Sequence, residues 1–167
     1  MTNHSEWGAG QGCARRSVYL DYAAATPMDP EVVAAMLPYF SEKFEQPSAP
    51  YAAARAVRAD VDAARAAVAH VIGARPGNVT FTAGATEANN LAFATAGDGA
   101  HVVIDAAEHE SVLACAAAVG GGCAVVGVGA DGRVRAADGA AAISPASRLV
   151  SGELANGEVG AVQPVRE

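Results

Sequence analysis

The sequence predicts an α/β fold of three layers, with helices on both faces of a mainly parallel sheet. Three observations carry that reading. From residue 79 onward, short Val- and Ile-rich runs alternate with helical stretches, the pattern of strands joined by crossover helices. The strand runs are almost continuously apolar, as strands covered on both faces require. Hydrophobic residues make up 51% of the 167 residues but aromatics only 5%, so the core is expected to be built from small aliphatic side chains.

Residues 1–16 are polar and glycine-rich and read as a disordered tail; residues 17–167 form one domain. A short extended piece covers 17–22. Asp29-Pro30-Glu31 then announces a helix, with a capping carboxylate, proline at the first helical position and a negative charge at the positive end of the dipole. Val32, Met36, Tyr39 and Lys43 trace that helix, which Pro38 should bend, and a loop follows at 46–50. In the next helix Val57, Val61, Ala64, Val68 and Val71 fall on one face. Arg58, Asp62 and Arg65 lie on the other, and Gly73 ends it. Beyond it come a strand at 79–82, a helix at 86–96, a strand at 101–105 and a helix at 108–119. A strand at 124–128, a weak helix at 135–143 and a strand at 148–151 complete the order. Right-handed crossovers are expected between the parallel strands. No helix or closing strand is legible after residue 151, so the sheet should stop at about four strands with an open edge.

A net charge of −7 and the absence of any basic stripe argue against nucleic acid as a partner. Cys13, Cys115 and Cys123 form no CxxC pair, so neither a disulfide frame nor a zinc site is suggested. No apolar run is long enough to cross a bilayer, and no secretory signal is legible, so a cytoplasmic protein without membrane contact is expected.

Two segments carry chemistry. In Thr82-Ala83-Gly84-Ala85-Thr86-Glu87 a strand ends, glycine permits a sharp turn and a helix begins. Amides of Ala85 and Thr86 and the Thr86 hydroxyl can converge there on a phosphate; alternatively Thr86 merely caps the helix. Glu108-His109-Glu110 follows the next strand, at the same end of the sheet. Ligands of open α/β sheets collect at that end, so His109 is a candidate acid–base group, or else a surface residue.

Leu20-Asp21-Tyr22-Ala23-Ala24-Ala25-Thr26-Pro27, Gln46-Pro47-Ser48, the run FTAGATEANNLA, Glu108-His109-Glu110-Ser111-Val112-Leu113 and Leu149-Val150-Ser151 recur here in a telling order. Order and spacing resemble cysteine desulfurases, the sulfur-mobilising branch of the class-V aminotransferases. The resemblance spans residue 18 to the C-terminus but only the first part of a family member. It implies an incomplete large domain of the pyridoxal-phosphate transferase fold (fold type I). By resemblance, Thr86 and the Ala85 amide would bind the pyridoxal 5'-phosphate phosphate. His109 would lie over the pyridine ring and take part in proton transfer, and Asn156 belongs to the cofactor-binding Asn-Asn-Glu segment.

The chain also departs from the family. Gly157 replaces the asparagine that bonds the cofactor's phenolic oxygen, a contact worth about 1.5–3 kcal/mol. Gln46 replaces asparagine, Tyr51 replaces histidine and Ala83 replaces serine. The aspartate that pairs with the pyridinium nitrogen, the Ser-x-His-Lys anchor and the sulfur-accepting cysteine have no counterpart. Lys43 is the only lysine and stands in no anchoring context. The expectation is therefore part of a desulfurase, inactive alone, that binds cofactor only when a complementing C-terminal chain or other oligomer partner completes it. A sulfur-acceptor protein is a further expected partner. The alternative is a non-catalytic desulfurase-like protein that regulates or scaffolds a complete enzyme or its acceptor.

Overall fold

The computed structural model describes residues 17–166; the tail expected at 1–16 lies outside the described residues. Asp29 caps the first helix as expected, its Oδ1 accepting the Glu31 N–H at 2.8 Å. That helix, α1 (Pro30–Met36), does not merely bend at Pro38. It ends, and α2 (Pro38–Ser41) starts afresh. Pro38 has no N–H to continue the ladder, and its ring crowds the carbonyl four residues back. Lys43, just beyond α2, forms an ion pair with Asp60 at 2.8 Å, and the Tyr39 hydroxyl donates to the same carboxylate. These contacts strap α2 onto α3 (Ala52–Val71).

Gly73 ends α3 in the left-handed region (φ 67°), where only glycine sits without strain. The expected apolar face of α3 is only partly covered. Ala54, Val57 and Ala69 are buried, but Val68 and Val71 are exposed, because the helix packs mainly on the 3-10 turn Pro76–Asn78.

The strand expected at 79–82 is extended at Val79 but joins no ladder among the described residues, since no neighbouring strand lies alongside it. The sheet therefore has three strands, not about four: β1 (His101–Asp105), β2 (Cys123–Val126) and β3 (Ser147–Ser151). Their order is β2-β1-β3, and both pairings are parallel. Central β1 is the core, with Val102, Val103 and Ile104 each at most 2% exposed. Burying side chains of this size contributes about 1.5–3 kcal/mol apiece.

Alternation along β1 sends Val102 and Ile104 to one face. There they meet Phe93 of α4 (Ala85–Thr95) and Val112, Cys115 and Ala116 of α5 (Glu110–Ala117), with Leu149 alongside. The opposite face is covered by α6 (Ala136–Ala142), leaving an apolar cleft of about 400 Å³ lined by Val103, Ala140, Ile143 and Val150. Helices thus lie on both faces of a parallel sheet, as the sequence predicts.

Past β3, where no element is expected, the chain turns back on itself. Ala155 and Val162 form an antiparallel bridge, and Gly160 (φ 72°) makes the turn. Buried Gln163 locks this hairpin to a second one, accepting the Val134 N–H at 2.9 Å and donating to the Gly132 carbonyl at 2.9 Å.

Candidate functional site

The segment entering α4 is shaped by its own side chains. Thr82 Oγ1 donates to the Gly84 carbonyl at 3.1 Å. Glu87 reaches back, its Oε2 accepting the Ala83 N–H at 2.6 Å. Gly84 is the N-cap, so Ala85 and Thr86 are the first two helical residues and Thr86 does not cap. The first intrahelical bond runs from the Ala88 N–H to the Gly84 carbonyl, at 3.1 Å. Amides of Ala85, Thr86 and Glu87 lie ahead of it, at the positive end of the dipole. A Cβ placed on Gly84 would meet no atom within 4 Å, so the head of the helix is open.

His109 is the N-cap of α5, which begins at Glu110 rather than at residue 108. Its Nδ1 accepts the Ser111 N–H at 3.1 Å and lies 2.8 Å from Ser111 Oγ. That hydroxyl in turn receives Asn89 Nδ2 of α4 at 2.8 Å. One chain of hydrogen bonds thus joins the second turn of α4 to the first turn of α5, and His109 at its end is exposed.

Asn156 acts as a bracket. Its Nδ2 donates to the Ala107 carbonyl (3.0 Å) and to Glu153 Oε1 (2.7 Å). Its Oδ1 accepts the N–H groups of Glu158 and Val159, both at 2.9 Å. The amide ties the C-terminal hairpin to the loop before His109, while Gly157 beside it is exposed.

Glu108, the sequence neighbour of His109, turns its side chain inward and is 8% exposed. Ser151 Oγ of β3 donates to its Oε1. Burial pushes the Glu108 carboxyl above the usual carboxylate range, and the nearby charges of Asp105 and Glu153 add to this, while the Ser151 bond opposes them. The signal that could have found it, Ser151 at the end of β3, is 43 residues away in sequence.

Lys43 takes no part in these contacts, being held by Asp60. Cys115 is buried in the core, whereas Cys123 is exposed at the start of β2. Among the described residues no His, Cys, Asp and Glu cluster is placed to hold a metal ion, and no helix is long and apolar enough to cross a membrane.

The model of the family described as Aminotransferase class-V matches residues 18–167. The chain belongs to the class-V aminotransferase family. It is 41% identical over 165 residues to a cysteine desulfurase of Frankia sp. (strain EuIK1), a match covering 89% of this chain and 39% of that protein. Among solved structures, a NifS-like protein superposes with a TM-score of 0.81 at 28% identity, covering 89% of this chain and 43% of the other. A second, titled SspA in complex with cysteine, gives a TM-score of 0.79 at 33% identity, covering 89% and 45%. This class-V chain therefore carries an incomplete large domain of fold type I and spans less than half the length of these relatives.

The family depends on pyridoxal phosphate. Residues at the head of α4 fit the phosphate end of that cofactor: three amides ahead of the first helical bond, a hydroxyl free of capping duty, and open space above Gly84.

Proposed function

We propose that this chain supplies the phosphate-binding and histidine half of a pyridoxal-phosphate-dependent cysteine desulfurase, which removes sulfur from L-cysteine to leave alanine and a persulfide. The lysine, pyridinium aspartate and acceptor cysteine come from polypeptide outside these 167 residues, on a complementing second chain, in the cytoplasm. One observation supports this reading above the others. Helix α4, whose first turn is open, is tied through Asn89 and Ser111 to His109, the N-cap of α5, in a chain whose family uses this cofactor.

When bound, the cofactor supplies the electron sink that lets bonds of the amino acid break. The chain's own residues bind and orient. Amides of Ala85 and Thr86, with the Thr86 hydroxyl, hold the phosphate dianion where the helix dipole favours negative charge. His109 stands beside that seat and holds a proton toward the reacting amino acid. Asn156 fixes the loop that carries His109, through the Ala107 carbonyl.

The test is co-expression with a polypeptide that begins near the pyridinium aspartate and carries Ser-x-His-Lys. Co-purification, cofactor absorbance and cysteine-dependent release of sulfide and alanine are expected together. In that pair Thr86→Ala should weaken cofactor binding roughly ten- to hundredfold, the worth of one hydrogen bond to a charged group. A colourless, inert pair overturns the reading. It would favour a non-catalytic desulfurase-like partner instead, which Gly157 and the fully engaged Asn156 amide support.

A further inference from the structure

His109 is not free to choose which ring nitrogen carries its proton. Nδ1 faces the backbone N–H of Ser111 at 3.1 Å, and a backbone N–H can only donate. Nδ1 is therefore the acceptor, and the proton of the neutral ring belongs on Nε2. The Ser111 hydroxyl lies 2.8 Å from the same nitrogen, and Asn89 Nδ2 occupies that oxygen from the other side at 2.8 Å. With its oxygen accepting from Asn89, the hydroxyl has its hydrogen to give to Nδ1.

We infer that Ser111 and Asn89 are positioning residues that fix the tautomer of His109, so that the exposed ring presents Nε2–H as a hydrogen-bond donor away from α5. Taking up a proton at Nε2 in place of donating would require the ring to move its own proton onto Nδ1. There it would meet the Ser111 N–H head-on. The arrangement suits a fixed donor to an oxygen carrying negative charge, and no bond is made or broken in it. Ser111 is the second residue of α5, where the N–H has no carbonyl within the helix, so lending it to His109 takes nothing from the ladder. What the donor points at depends on the proposed cofactor site; the tautomer itself is a property of this chain alone.

The experiment uses the chain without cofactor, 15N-labelled, at about pH 8, above the ordinary imidazole range. Two-bond nitrogen–proton correlations should show His109 Nδ1 unprotonated and Nε2 protonated, as a single tautomer. Both variants keep the N–H of residue 111, so in Ser111→Ala and Asn89→Ala, each with its amide spectrum otherwise retained, the Nδ1–H form should become detectable beside a still predominant Nε2–H form. A side chain that only packs the two helices together would leave the tautomer ratio alone. A mixed or Nδ1–H tautomer in the unmodified chain overturns the inference, as does an unchanged ratio in both variants. With no cofactor present, either result is separable from failure of the proposed desulfurase site.

Discussion

Glu108 turns inward while its neighbours His109 and Glu110 stay exposed, and this difference has a pH signature. Its carboxyl is held above the ordinary value of 4.5, chiefly by burial. The folded state therefore favours the protonated form. That contribution is complete below the unfolded pKa and is lost as pH rises through the folded pKa. Denaturant midpoints should accordingly fall as pH climbs from about 4.5 toward neutrality, and Glu108→Gln should flatten this decline. Equal slopes in the two proteins would clear Glu108 of responsibility. The sequence singled out Thr86 and His109 from local motifs, and each stands at the start of a helix, Thr86 in α4 and His109 as the N-cap of α5. It could not show the inward turn of Glu108 or the internal bonding of Asn156, since both depend on partners from other loops.

At the level of elements, the glycines joining α5 to β2 are not equivalent. A Cβ on Gly121 would fall on the carbonyl oxygens of Gly99 and Ala100, whereas one on Gly120 would meet nothing nearer than 3.9 Å. Gly121→Ala should therefore destabilise the chain by roughly 1–3 kcal/mol, as overpacking against rigid backbone does. Urea titration reads this, with Gly120→Ala as the near-neutral comparison. Helices α3 and α4 and strands β1, β2 and β3 were legible because their periodicity and glycine stops are local. Pro38 was read as a bend, and dividing the helix is the stronger form of the same steric effect. The run at 79–82 has strand composition but lacks a neighbour, and composition cannot report a neighbour. The hairpin closed by Ala155 and Val162 escaped notice because its bonds are few and depend on Gln163 and Asn156, not on a hydrophobic pattern.

On the scale of the molecule, β3 has β1 on one side only, and Val150 is 56% exposed. The stripe on α3 and the cleft beside α6 are likewise apolar and open. A complementing chain that continues the sheet should slow amide hydrogen exchange in β3 while leaving that in β1, already paired on both sides, unchanged. Exchange in β3 that stays equally fast in the complex would show that the sheet is not extended there. The three-layer class was legible from alternation alone. How few strands would pair was not, because pairing requires knowing which runs lie side by side.

The strand synthesised first lies in the middle of the sheet, and its last neighbour is made last. His101 and Ser147, which meet across β1 and β3, are 46 residues apart. At translation rates of about 5–20 residues per second, β1 emerges from the ribosome roughly 2–9 s before β3 can pair with it. During that interval one flank of the most water-averse strand stays bare, a window in which a holding chaperone would find its target.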